Sequence, residues 1–163
     1  MASNASFDVV SKFDRQELKN AIDQAEREVH NRYDLKDTNT VIELGDKELT
    51  ITTASEYTLT AVTDIIESKL VARKLSLKIL DYKTPEDASG GRTRQVITLK
   101  EGIPDDIAKK ITKQIRDEFK KVTPQIQGDA LRVQAKSRDE LQAVINLLKA
   151  EDYPVALQFV NYR

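Results

Sequence analysis

The sequence predicts an α+β protein made of two copies of one β-α-β-β-α-β unit. Leu49–Glu67 matches Leu131–Lys149 at a spacing of 82 residues, with Leu, Ser, Leu, Ala and Val recurring at equivalent positions. A Gly-Asp turn precedes both copies, and strand and helix periodicities alternate in the same order in the two halves. A repeat of about 80 residues is too long for a solenoid and suits a small domain. We therefore expect a tandem duplication.

The first unit is predicted within residues 1–82. Asp14 is a predicted N-cap, and the apolar residues that follow recur at helical spacing from Leu18 to Val29. Ser55 is the predicted cap of a second helix. The strands of this unit alternate apolar and polar residues or flank a glycine turn, and they are predicted at Phe7–Ser11, Val41–Leu44, Leu49–Thr53 and Leu75–Ile79.

The second unit is predicted within residues 94–163, after a mobile linker at 83–93 that contains Pro85 and Gly90-Gly91. Its order of elements repeats that of the first unit. In both units two helices would cover one face of an antiparallel sheet, which is the ferredoxin-like α/β sandwich. The predicted elements are strands Arg94–Lys100, Gln125–Gln127, Leu131–Lys136 and Leu157–Val160, and helices Asp105–Lys121 and Arg138–Lys149.

Composition excludes several classes of protein. The 163 residues include no cysteine and a single histidine, His30, which excludes disulfides, thiol catalysis and any site with several Cys or His ligands. We predict no metal and no cofactor. No apolar run approaches the ~20 residues of a membrane span, and the first residues lack the pattern of a signal peptide. A cytoplasmic location and no membrane partner are therefore expected.

Charge is distributed unevenly along the chain. Residues 1–90 carry 12 basic and 17 acidic side chains, whereas residues 91–163 carry 14 basic and 10 acidic ones. Since Lys and Arg attract phosphate groups, the second half is where a phosphate-bearing ligand is favoured. Solvated helix faces would produce the same asymmetry and are the alternative interpretation.

The predicted fold leaves one face of each sheet uncovered, and alternation identifies the side chains on it. Along Leu131–Lys136 the apolar residues should face the helices, which turns the intervening polar residues outward. Cations for phosphate and amides for a base make this face a candidate nucleotide-binding platform. The candidate residues are Arg132, Gln134, Lys136, Gln125, Gln127, Arg94 and Lys100.

Two further observations qualify this platform. Polar and basic residues also serve to keep an exposed sheet soluble, and that is the alternative role. The stacking aromatics of a typical RNA-recognition sheet are missing from its central strands. Gln158 and Tyr162 are candidate additions, although Tyr162 could instead anchor the last strand.

No catalytic residues are predicted. Asp105 and Asp106 open a helix after Pro104, where acidic side chains complement the helix dipole. The spacing of a phosphate-binding loop is absent, and a single histidine without a motif does not make a Ser/His/Asp constellation. The sequence therefore favours a protein that is not an enzyme.

Five motifs that lie in order along nearly the whole chain resemble the YajQ family of bacterial nucleotide-binding proteins. They are Ser6–Ser11, Arg94–Ile103, Gln125–Asp129, Lys136–Val144 and Leu157–Arg163. The resemblance implies two ferredoxin-like domains whose first strands are exchanged, with Phe7–Lys12 in the second sheet and Arg94–Lys100 in the first. That exchange would separate Arg94 and Lys100 from Arg132. It also implies nucleotide binding, with links to cyclic di-GMP and to RNA.

The leading functional hypothesis is a non-enzymatic cytoplasmic protein that binds a nucleotide of the cyclic di-GMP, GTP or ATP class. It would act as a sensor through a partner such as a transcription-related protein. The alternative is an RNA-associated or protein-scaffolding module that uses the basic face of the second sheet. A nucleotide hydrolase is a third, less favoured hypothesis.

Overall fold

In a computed structural model that describes residues 4–163, the chain is a mixed α and β protein with four α-helices and two antiparallel sheets. The helices are α1 (Arg15–Asn31), α2 (Glu56–Ala72), α3 (Asp105–Glu118) and α4 (Arg138–Ala150). The strands are β1 (Ala5–Val10), β2 (Val41–Leu44), β3 (Glu48–Thr53), β4 (Leu80–Tyr82), β5 (Glu86–Ala88), β6 (Arg92–Leu99), β7 (Thr123–Gln127), β8 (Ala130–Ala135) and β9 (Gln158–Val160). Within the described residues, no helix has the length and apolar character that crossing a membrane requires.

The chain divides into two compact units. One is continuous and comprises Phe13–Lys100, and the other combines Glu101–Arg163 with the described residues that precede Phe13. The continuous unit contains the sheet β2-β3-β6-β4, with β5 paired to β6. The discontinuous unit contains the sheet β7-β8-β1-β9. These bounds differ from the predicted division into residues 1–82 and 94–163.

The position of β1 accounts for this difference. β1 pairs antiparallel with β8, where Phe7 lies opposite Val133, and it pairs with β9 on its other side. Phe7 and Val9 are fully buried and belong to the core that includes Leu131 and Val133. Because burying two large apolar side chains is strongly favourable, β1 is held in the sheet of the second half. In the same way β6, the first long strand of the second half, lies between β3 and β4 in the sheet of the first half, so the two halves exchange strands.

The predicted helix caps are confirmed. The side chain of Asp14 accepts a hydrogen bond from the backbone N–H of Glu17 at the start of α1. Ser55 and Ser137 do the same for the third residues of α2 and α4, and Ser55 forms a full capping box. These short side chains satisfy backbone donors that have no partner within the helix.

The segment 83–93 differs from the predicted mobile linker. It contains β5, which pairs with the beginning of β6 through a short helical turn at Ser89–Gly91. Gly90 and Gly91 have φ values of 74° and 73°, a region where side chains are disfavoured, so they permit the chain to reverse within one unit. The Arg92 guanidinium also donates hydrogen bonds to the carbonyls of Thr38 and Asn39.

The predicted closing strand at Leu75–Ile79 is wrong. Leu77–Ile79 forms a short 3-10 helix, and the strand is β4, which begins at Leu80. The Ser76 side chain accepts a hydrogen bond from the backbone N–H of Lys78 and starts this turn. Alternation of apolar residues alone did not distinguish a tight turn from a strand.

We predict that Phe7→Ala destabilises the unit that contains α3 and α4, although Phe7 precedes α1 in the chain. Truncating a buried phenylalanine typically costs about 3–5 kcal/mol of unfolding free energy. Denaturant unfolding measures that loss, and amide hydrogen exchange should locate the lost protection in β8 and α4.

The matched control is Ile97→Ala, since Ile97 is equally buried on β6. In Ile97→Ala, the amides that lose protection from hydrogen exchange should lie in β3 and β4. Loss of protection around Leu49 in Phe7→Ala would contradict the observed strand pairing.

Candidate functional site

The uncovered face of the sheet β7-β8-β1-β9 carries the predicted polar residues of β8. Burial alternates along this strand, with Leu131 and Val133 inside and Arg132 and Gln134 half-buried on the other face. Lys136 follows the strand and is exposed. Gln125 lies opposite Arg132 in the neighbouring strand and is also exposed, as is Gln127. The alternation argument therefore holds for this strand.

Arg132 is occupied by an internal partner on that face. Its Nε donates a hydrogen bond to Oδ1 of Asp8 at 3.0 Å, across the β1–β8 register. Asn161 donates its amide N–H to the other carboxylate oxygen of Asp8 at 2.8 Å. The hydrogen bond from Arg132 lowers the pKa of Asp8, despite the opposing effect of its burial. A guanidinium already neutralised in this way is a weaker phosphate receptor than the sequence predicted.

Arg94 and Lys100 do not join this face, because β6 pairs with β3 and β4 in the sheet of the other unit. Arg94 donates a hydrogen bond to Glu86 at 3.0 Å across the β5–β6 pair. The backbone N–H of Lys100 donates to the carbonyl of Ile79. Both residues belong to the compact unit Phe13–Lys100. The strand exchange thus divides the predicted set of seven residues between two sheets.

A cavity of about 280 Å³ lies between α4 and the last residues of the chain. Backbone hydrogen bonds of 3.1 and 3.0 Å join Ser6 to Arg163 and hold this end of the chain beside β1. Between β9 and that pair, Asn161 adopts a φ of 57°, a left-handed conformation that asparagine tolerates better than most residues. The cavity is lined by Ser6, Arg138, Leu141, Gln142, Ile145, Tyr162 and Arg163.

The cavity combines cationic, aromatic and apolar groups. Tyr162 is 63% exposed, and its ring lies 6.2 Å from that of Phe7, which restricts its orientation. Arg138 and Arg163 are exposed and, in the described part of the chain, neither forms a salt bridge. Leu141 and Ile145 are buried and supply an apolar wall. Such a set can hold a planar aromatic ligand that carries a negative charge.

The sequence analysis missed Arg138, Gln142 and Arg163, and it considered Tyr162 as an addition to the open face or as an anchor of the last strand. Arg138 and Gln142 lie one helical turn apart on α4, so their shared side was visible in the spacing. The spacing could not show that Arg138 and Gln142 lie close to the end of the chain, because that proximity depends on β1 lying beside β9.

In residues 4–163 no group of three His, Asp or Glu side chains is arranged to hold a metal ion.

The family model described as "Nucleotide-binding protein YajQ-like" matches residues 5–163. The chain belongs to the YajQ-like family. YajQ-like relatives named "Nucleotide-binding protein" include those from Synechococcus sp. (strain JA-3-3Ab) at 63% identity and Trichodesmium erythraeum (strain IMS101) at 61%. A Nostoc relative named "Nucleotide-binding protein all4662" is 62% identical. Each match covers all of both chains. The resemblance noted in the sequence motifs is thereby confirmed.

We predict that the ion pair between Asp8 and Arg132 makes stability depend on pH in the acid range. Because the folded-state pKa of Asp8 is lowered, its contribution is present above its unfolded pKa of about 3.9 and disappears as pH falls through the folded value. Asp8→Asn should lower the urea midpoint at pH 7. That difference from the parent protein should shrink below pH ~4.

The control is Asp8→Asn in an Arg132→Gln background, where the same substitution should have a much smaller effect at pH 7, because the hydrogen bond from Asn161 is then the remaining side-chain contact of Asp8 described above. An undiminished pH-dependent difference in that background would assign the effect to groups other than Arg132.

Proposed function

We propose that this YajQ-like chain is a non-enzymatic nucleotide-binding protein and that its ligand occupies the cavity between α4 and the end of the chain. The observation that carries the proposal is the convergence of Arg138, Arg163 and the Tyr162 ring on one cavity with an apolar wall. The names of the YajQ-like relatives support the ligand class.

Each group in the cavity matches one part of a nucleotide. Guanidinium groups bind phosphate oxygens through paired, charge-assisted hydrogen bonds, which assigns the phosphate to Arg138 and Arg163. An exposed tyrosine ring can stack on a base, and the amide of Gln142 can donate to or accept from the base edge. Leu141 and Ile145 would contact the other face of the ligand.

Cavity size restricts the part of the ligand that can be enclosed. A volume of about 280 Å³ lies just below the range of roughly 300–1,000 Å³ that small-molecule sites span, and it suits one nucleotide moiety. Ser6 lines the cavity and lies opposite Gln134 in the sheet register. A larger ligand such as cyclic di-GMP would therefore extend toward Gln134 and Lys136 on the open face, with Gln125 and Gln127 beyond them.

The side chains of this cavity suit binding rather than catalysis. The side chains that line the cavity are guanidinium, amide, hydroxyl, phenol and apolar groups, and none of them is a carboxylate, an imidazole or an amine that could act as a general base. We therefore propose a sensor in the cytoplasm whose nucleotide occupancy is transmitted to a protein partner.

We also propose that the two units descend from one ferredoxin-like ancestor. The two sheets have matching spatial orders, β2-β3-β6-β4 and β7-β8-β1-β9, and the exchanged strand, β6 or β1, occupies the third place in each. The repeat of 82 residues supports the same origin.

The test is calorimetric titration with cyclic di-GMP, GTP, ATP and a short single-stranded RNA, each at two salt concentrations. Removing a charge-assisted hydrogen bond should weaken nucleotide binding by about tenfold or more in Arg138→Ala and Arg163→Ala. Tyr162→Ala should cost about five- to 150-fold through lost stacking, whereas Tyr162→Phe should bind nearly as the parent does.

Lys121→Ala removes one exposed charge from the same unit outside the cavity and serves as the matched control. Unchanged nucleotide affinity in Arg138→Ala, Arg163→Ala and Tyr162→Ala would refute the proposed site. Binding to RNA alone, falling steeply with salt, would support the RNA-associated alternative instead.

A further inference from the structure

A second groove of about 440 Å³ lies between α3 and β7, the edge strand at the other side of the sheet from β9. Lys109, Lys113 and Arg116 line it from α3 at helical spacing, and Gln125 lines it from β7. All three cations are exposed, and within residues 4–163 none forms a salt bridge. The single acidic group in the lining is Asp117. The groove is therefore strongly cationic.

Thr112 contributes a buried polar group to this groove. Its side chain is among the groove residues, yet the residue is only 8% exposed. Its hydroxyl oxygen has no hydrogen-bond partner. Buried hydroxyls are ordinarily paired, so an unpaired one on a residue that lines the groove together with three cations points to a partner from outside the chain.

The other unit contains a corresponding groove between α1 and β2. Comparing the two grooves shows which lining residues the fold of a unit requires. Lys19, Ile22, Asp23 and Glu26 line that groove, and they precede Lys109, Thr112, Lys113 and Arg116 by 90 residues each. Lys19 forms a salt bridge with Asp23 at 3.1 Å. One unit thus has an apolar residue and two acids where the other has a hydroxyl and two bases. The cations at α3 are not required by the fold of the unit.

The edge of β7 is poorly suited to bind an added strand. A two-residue turn at Gly128-Asp129 makes Gln127 and Ala130 a hydrogen-bonded pair. Hydrogen-bonded and non-hydrogen-bonded pairs then alternate along the hairpin, and in each non-hydrogen-bonded pair the backbone groups of β7 point away from β8. Pro124 then belongs to a pair whose backbone groups point away from β8, and although its ring is buried, its nitrogen carries no N–H to donate to an added strand. Side chains, rather than the strand edge, must hold whatever occupies the groove.

We propose that the α3–β7 groove is a second anion site, which binds consecutive phosphate groups of a small ligand. Lys109, Lys113 and Arg116 neutralise the phosphates, while the Thr112 hydroxyl and the Gln125 amide donate hydrogen bonds to their oxygens. This site shares no residue with the cavity at α4 and does not depend on the proposed nucleotide site. Inorganic polyphosphate and the triphosphate of a free nucleotide present the same chemistry.

The test is titration of the full chain with inorganic tripolyphosphate, monitored by calorimetry and by two-dimensional NMR of backbone amides. Amide shifts should cluster at α3 and β7. Lys109→Ala/Lys113→Ala should weaken binding by about tenfold or more, and the nearly isosteric Thr112→Val by about threefold or more. Lys120→Ala/Lys121→Ala removes the same charge outside the groove and should bind as the parent does.

A reciprocal variant tests whether these residues are sufficient. Ile22→Thr/Asp23→Lys/Glu26→Arg transfers the α3 pattern to the α1–β2 groove and should create tripolyphosphate-dependent shifts there. Equal affinity of Lys109→Ala/Lys113→Ala and parent, or shifts confined to Tyr162 and Arg163, would overturn the proposal.

GTP in the Arg138→Ala background distinguishes the two sources of phosphate. Shifts at Lys113 and Gln125 with GTP would identify a nucleotide triphosphate as an occupant. Shifts there with tripolyphosphate alone would identify a site for inorganic polyphosphate.

Discussion

The pairing of β1 with β8 is the interaction on which the discontinuous unit depends. β1 is an interior strand, hydrogen-bonded to β8 on one side and β9 on the other, and Phe7 fills the core beneath it. Residues Glu101–Arg163 supply the two helices and the three other strands of that unit but no strand for this central position. Without β1, β8 would lose one of its two partner strands, and β9, at the edge of the described sheet, would lose the strand it pairs with.

The same strand also determines which side chains are available to a ligand. On the open face, Asp8 of β1 binds Arg132 and removes the most obvious cation from use. Near the start of β1, Ser6 holds Arg163 through two backbone hydrogen bonds and so forms one wall of the cavity at α4. One strand therefore pairs with a cation of the predicted platform and also borders the cavity that we propose as the nucleotide site.

Local features of this fold could be predicted from sequence, and long-range pairing could not. Asp14, Ser55 and Ser137 cap their helices because a short acceptor before an amphipathic run acts only on its own turn. The outward position of Gln134 and Lys136 followed from strand alternation in the same way. The partner of Arg132 required the register between β1 and β8, and periodicity carries no information about register between distant strands. Gly90-Gly91 suited both a linker and a reversal, and only the pairing of β5 with β6 decides between them.

The exchange of strands also has a consequence for synthesis of the chain. Phe7 lies opposite Val133, so β1 finds its partner only after more than 120 further residues have been made. The intervening unit, Phe13–Lys100, is continuous and holds every strand of its own sheet, so it can fold while β1 is still unpaired. An apolar strand that waits in this way is open to association with other chains. Its short length and the charge of Asp8 at its centre reduce that hazard during translation.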